Sequence, residues 1–199
     1  MLCDAIPPRY VSEGVPCRII MKKIKKIEVL IVIFIIPVIL SGCMSIKEGD
    51  KTLKCEKDFG TYEIINGWIE EKTHSTGDVS FYIEKGTEND NPPNNIAVSE
   101  AKNKFKKSQH EEFKEAIMAQ VSAQMPENSD AKVEMDGVTT KNKNIVYIVT
   151  IEEKEMESKF YYIVGECRFV MIQTSRFNEN KDIYKVSDHI AESFVWNEK

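Results

Sequence analysis

Three histidines, five cysteines and a cluster of glutamates are the residues of this chain whose types could do chemistry. His74, His110 and His189 fall in a predicted loop and on two separate predicted helices, none with a partner one helical turn away. That is not the close His/Cys spacing a metal ion requires, so the pattern predicts solvated histidines and no metal site. Glu152, Glu153, Glu155 and Glu157 crowd the tip between two predicted strands. Such a tip ordinarily serves solubility; weak cation binding is the sharper alternative. Cys167 precedes a run of sheet-forming residues and lacks the local histidine signature of a nucleophile. There is no nucleophile elbow, glycine-rich phosphate loop or calcium loop. The sequence thus predicts no catalytic residues and no cofactor. Lys102, Lys104, Lys106 and Lys107 form one basic patch, read as a solvated face. Trp68 and Trp196 are read as core anchors rather than as an aromatic binding surface.

The cysteine with the strongest context is Cys43. Before it lie Lys22, Lys23, Lys25 and Lys26, then an apolar run from Val29 to Leu40, then Ser41 and Gly42. Basic, apolar and small residues in that order make a secretory signal. The run of 12 residues is short for a membrane span, which needs about 20. An uncleaved anchor helix is the alternative. Leu40-Ser41-Gly42-Cys43 resembles a bacterial lipobox. The resemblance implies a diacylglyceryl thioether on Cys43, cleavage between Gly42 and Cys43, and acylation of the new amino terminus. Two or three acyl chains on one residue make a stable anchor where one does not. Residues 1–20 precede the signal's charged region and are read as an upstream misreading before a start at Met21, or as a disordered extension.

The domain map is then residues 1–20, a signal at 21–42, a lipidated cysteine with a flexible tether at 43–57, and a globular domain at 58–199. Cys43 to Lys199 is 157 residues, with 21 Lys+Arg against 29 Asp+Glu, net −8. One domain of that size can bury about two thirds of its unfolded surface. An acidic domain does not favour nucleic acid. Cys55 and Cys167 remain after cleavage and could form a disulfide outside the cytoplasm; two buried thiols are equally ordinary.

The elements follow from periodicity. Phe59 to Ile65 reads as a strand, Asn66-Gly67 as a hairpin turn and Trp68 to Lys72 as its return strand. Val79, Phe81 and Ile83 alternate on a third strand. Gly86 to Asn95 is a loop, and Ile96 to Val98 a short strand. Ala101 to Phe105 reads as a turn of helix ahead of the main one. Ser108 and Glu111 have capping-box spacing ahead of a helix carrying Phe113, Ile117 and Val121, stopped by Pro126. Ala131–Thr140, Asn144–Glu152, Phe160–Val164 and Cys167–Thr174 read as strands, the second buried on both faces. Gly165-Glu166 is a tight turn. Ile183, Val186, Ile190 and Phe194 mark a terminal helix capped by Asn180. Strands, helix, strands, helix is an α+β order: a mainly antiparallel sheet with one long central helix and one C-terminal helix.

The pattern resembles bacterial PsbP-like and DcrB-like lipoproteins over residues 57–197. It rests on Tyr62 and Ile64 before Gly67-Trp68, on Asn94-Asn95-Ile96-Ala97-Val98, on Tyr161-Tyr162-Ile163-Val164 and on Ser193-Phe194-Val195-Trp196. Asn66-Gly67 replaces the proline usual before the tryptophan. The resemblance implies an α/β/α sandwich, a fold used by accessory binding proteins. The expected function is a non-catalytic accessory or binding module, lipid-anchored outside the cytoplasm through Cys43, with an envelope protein as partner. A small-ligand-binding lipoprotein, or a hydrolase whose site is assembled from scattered residues, is the alternative.

Overall fold

A computed structural model of the chain describes residues 52–126, 129–153 and 156–197. The signal, Cys43 and Glu155 lie outside the described residues. The elements are β1 (Thr52–Lys57), β2 (Gly60–Ile65), β3 (Trp68–Glu70), β4 (Val79–Glu84), β5 (Asn95–Lys102), α1 (His110–Gln124), β6 (Lys132–Thr139), β7 (Ile145–Glu153), β8 (Met156–Val164), β9 (Arg168–Arg176), α2 (Asp182–Ser193) and β10 (Val195–Trp196). Seven strands form an antiparallel sheet in the order β3-β4-β5-β9-β8-β7-β6, and β1-β2-β10 form a small antiparallel one.

The large sheet has an apolar core on each face, because its central strands are apolar at both parities. Val146, Tyr161, Ile163, Val170 and Ile172 point toward α2 and the small sheet. Tyr147, Val149, Val164 and the partly buried Phe160 and Phe169 point toward α1, where Phe113, Ile117 and Val121 meet them. This is an α+β arrangement, a helix on each side of a mainly antiparallel sheet.

Four local expectations are corrected. Residues 52–57, within the expected tether, are a paired strand, because Leu53 and Cys55 alternate with Lys54 and Glu56 and the inward pair reaches the core. Asn66-Gly67 is not a hairpin. Gly67 takes a φ of 102° and Asn66 Oδ1 accepts from its amide, but β2 pairs with β1 and β10 while β3 pairs with β4. The turn carries the chain from one sheet to the other. The expected turn of helix at 101–105 is instead the end of β5, which runs through Lys102 on the ladder of β9, and an irregular link. Finally, Ser108 does not cap α1. A 3-10 turn at Lys107–Gln109 precedes the helix, and Gln109 Oε1 accepts from the Lys106 amide. At α2, Lys181 holds the cap position, yet the Asn180 carboxamide oxygen accepts from the Asp182 amide at 3.0 Å.

The register defines two poles. Thr52, Ile65, Trp68, Glu84, Asn95 and Arg176 lie at one end of the strands. Gly60, Lys102, Thr139, Ile145, Val164 and Arg168 lie at the other.

Candidate functional site

Helix α2 packs on β2, β9, β5 and β8. Between α2 and the same face of β6 and β7 lies a groove of about 560 Å³. Its floor is Val138, Val146, Ile148 and Tyr161; its wall is Lys185, Asp188, His189 and Glu192 of α2. Val138 is 46% exposed, an apolar side chain left open because β6 is the last strand of the sheet.

The groove is framed by a clamp. The last carbonyls of a helix have no partner within it. Here the Asn142 amide group donates to the carbonyls of Glu192, Ser193 and Phe194, and Asn144 Nδ2 donates to Phe194 O at 2.7 Å. The β6–β7 turn that supplies these residues requires a left-handed backbone at Lys143, with φ 59°. One short turn thus closes the helix end and sets its distance from β6.

The groove's titratable groups are engaged with each other. Tyr161 Oη donates to Asp188 Oδ1 at 2.7 Å. Burial, then the Asp188 charge, holds the Tyr161 hydroxyl well above the usual phenol range, so it stays protonated as a donor. His189 Nε2 is a buried atom without a hydrogen bond, 3.4 Å from Glu63 Oε2 of β2 and within ion-pair range. The Lys141 amide donates to Glu192 Oε1. What this geometry can do is bind: an apolar floor, one buried imidazole nitrogen and a rim of both charges.

The other sequence-singled residues are scattered. His74 pairs with Glu71 in the β3–β4 loop, and His110 Nδ1 lies 2.8 Å from Tyr147 Oη at the start of α1. Glu157 binds Arg176 at 3.0 Å rather than joining an acidic site, while Glu152 and Glu153 are exposed. Among the described residues no cluster of three or more His, Cys, Asp or Glu side chains is placed to hold a metal. Cys55 lies mid-strand in β1, where Tyr82 Oη donates to its sulfur at 3.6 Å. Cys167 occupies the β8–β9 turn with φ 53°, its amide on Phe105 O. Trp68 packs on the core; Trp196 does too, stacked by the Arg168 guanidinium at 4.4 Å. The four lysines at 102–107 are exposed.

Sequence reasoning read His189 as a surface histidine and Tyr161 as part of a packing motif, and passed over Asp188, Lys185 and Glu192. The signal present was the spacing 185, 188, 189, 192, a second stripe at helical period beside the apolar one. Nothing local says that this stripe meets the β6–β7 end of a sheet.

No family model matches the chain, and no curated protein matches it. Among solved structures it is similar to the cyanobacterial PsbP protein CyanoP of Synechocystis sp. PCC 6803, at 14% identity and a TM-score of 0.50, covering 79% of this chain and 99% of that one. It is also similar to a protein of Bacteroides thetaiotaomicron VPI-5482, at 9% identity and a TM-score of 0.42, covering 75% of this chain and 49% of that one. The fold is PsbP-like.

Proposed function

We propose that this chain is a lipid-anchored protein facing outside the cytoplasm, and that its PsbP-like domain is a non-catalytic binding module for a protein of the cell envelope. The observation that carries the anchoring is Leu40-Ser41-Gly42-Cys43 placed directly behind a basic cluster and an apolar run. What supports a binding role is the state of the groove: its hydroxyl, carboxylate and imidazole are spent on one another or on Glu63. None is aimed as a nucleophile with an adjacent base. Metabolic labelling of the full chain with an alkynyl fatty acid tests the anchor. Label is expected on the natural chain and lost in Cys43→Ala. Crosslinking of the tethered protein in its membrane should recover one stoichiometric envelope partner, whereas turnover by the purified domain would refute the binding role.

A second reading is favoured by the groove itself. A cavity of about 560 Å³ with an apolar floor and a few polar groups is of ligand-binding size. It would take a small amphipathic molecule, its apolar part on Val138, Val146 and Ile148. Calorimetric titration with medium-chain fatty acids and with apolar dipeptides tests this; heat that vanishes in Val138→Asp would support it, and no heat from either set would reject it.

A further inference from the structure

We infer that the membrane-facing side of this domain is the pole that carries Thr52, and that the lysine-bearing pole with the mouth of the groove is held out toward the aqueous side. The inference rests on the lipid anchor at Cys43 proposed above. Its structural basis is the pairing of residues 52–57 as β1. Had the tether run to Lys57, as composition suggests, it would span about 50 Å and leave the domain free to turn. With Thr52 paired to Ile65, nine peptide links separate Cys43 from β1, a reach of at most about 30 Å.

The domain is as long as that reach. β7 and β8 are nine residues each, which is about 30 Å from pole to pole. Setting the far pole on the bilayer would lift Thr52 by about 30 Å and leave the tether no slack, its least populated state. Turned the other way, Thr52 approaches the surface and the nine links need not reach their full span.

The two poles differ in charge. Around Thr52 the exposed acids Glu88, Asp90, Glu152, Glu153, Glu179 and Asp182 face only a few lysines, such as Lys85 and Lys181. At the opposite end Lys102, Lys104, Lys106, Lys107, Lys141 and Lys143 are all exposed, against Asp58, Glu166 and, in the first turn of α1, Glu111 and Glu112. The near pole therefore stands off an anionic surface rather than sinking into it. The lysine pole, about 30 Å farther out along the strands, lies several Debye lengths from the lipid charge at physiological salt. The groove opens beside that outer pole, since Thr139, Thr140 and Glu192 line it.

The test is energy transfer from a fluorophore to a headgroup-labelled lipid. The fluorophore is clicked onto azidophenylalanine placed at Asn89 or at Lys106, both exposed, in the full lipidated chain. The vesicles are phosphatidylcholine alone, or phosphatidylcholine with phosphatidylglycerol. Transfer from position 89 is expected to exceed transfer from position 106 at least about twofold in both, given the 30 Å between poles. Mass spectrometry of the Cys43 peptide and flotation are read on the same samples. If Cys43 carries no lipid, the anchoring reading falls and the orientation with it. If Cys43 is acylated and the vesicles float the protein, but transfer is equal or reversed, the orientation alone is overturned, and reversal only with phosphatidylglycerol would identify the lysine pole as a lipid-docking surface.

Discussion

The hydroxyl of Tyr62 lies 2.7 Å from that of Tyr82, and this contact joins the small sheet to the large one inside the core. Tyr62 belongs to β2 and Tyr82 to β4, each 1% exposed, with their rings edge to face. Burial pushes both hydroxyls far above the usual phenol range, so both remain protonated at any ordinary pH. Two polar atoms are thus sealed in the core, Tyr62 Oη against Tyr82 Oη, and Tyr82 Oη also donating to the Cys55 sulfur.

An asymmetry follows in a mutant cycle. Removing the Tyr82 hydroxyl takes away the 2.7 Å partner of the Tyr62 hydroxyl, which costs about 1–3 kcal/mol, whereas Tyr62→Phe leaves Tyr82 Oη its bond to the Cys55 sulfur and costs less, and removing both hydroxyls can be close to neutral. Tyr62→Phe and Tyr82→Phe are each expected to lower the denaturation midpoint, and the double variant to recover part of the loss. Urea titration of the three variants checks this; additive losses would show that the hydroxyls do not depend on each other.

Gly60 admits no side chain. A Cβ there would meet Val195 O at 2.5 Å and the Phe194 ring at 2.6 Å, because β10 crosses Gly60 in register with Trp196. Gly60→Ala is expected to destabilise by about 1–3 kcal/mol, the usual cost of overpacking. The loss should coincide with a change in Trp196 fluorescence as β10 detaches, and Gly77→Ala, with nothing within 4 Å, serves as the control.

Acid stability has a local handle at Glu71. Burial alone would raise its pKa. The hydroxyl and amide of Thr73 and the ring and amide of His74 outweigh it and hold the carboxyl at about 2 against an ordinary 4.5. A carboxylate depressed in the folded state contributes stability that is full above the unfolded value and lost as pH falls from about 4.5 toward 2. Glu71→Gln is therefore expected to lower stability at pH 7 by about 1 kcal/mol and to flatten the decline between those two pH values. Thermal melts across that window decide it.

Arg168 ties three features of the pole that carries Gly60 and Val164. Its guanidinium binds Glu100 at 2.9 Å, donates to Asn197 O at 3.2 Å and covers the Trp196 ring at 4.4 Å. A planar fork does all three at once; an ammonium cannot. Arg168→Lys is expected to lose nearly as much stability as Arg168→Ala, about 1–2 kcal/mol. A full rescue by lysine in denaturant titration would show that charge alone suffices.

Much of the fold was legible because it is written in local periods. The stripe of Phe113, Ile117 and Val121, the terminal stripe of Ile183, Val186 and Ile190, and the doubly apolar run of β7 each announce the element and its buried side. The candidate site was not legible. Val138 on β6, Tyr161 on β8 and Asp188 with His189 on α2 are brought together by strand order, and strand order is a non-local property.

By itself the sequence determined both helices and most of the strands, missing β1 and the end of β5, and it marked Cys43 as the residue behind a signal-like segment, since both depend on neighbours within a few residues. Only the tertiary structure decided that Asn66-Gly67 crosses between sheets, that residues 52–57 pair as a strand, and that a groove lies between α2 and the β6–β7 end of the sheet. The physical reason is the same in each case. A turn dipeptide sets backbone angles, and an alternating strand sets which side chains face inward. Neither specifies the partner strand, which is chosen by the apolar surface that all the elements bury together.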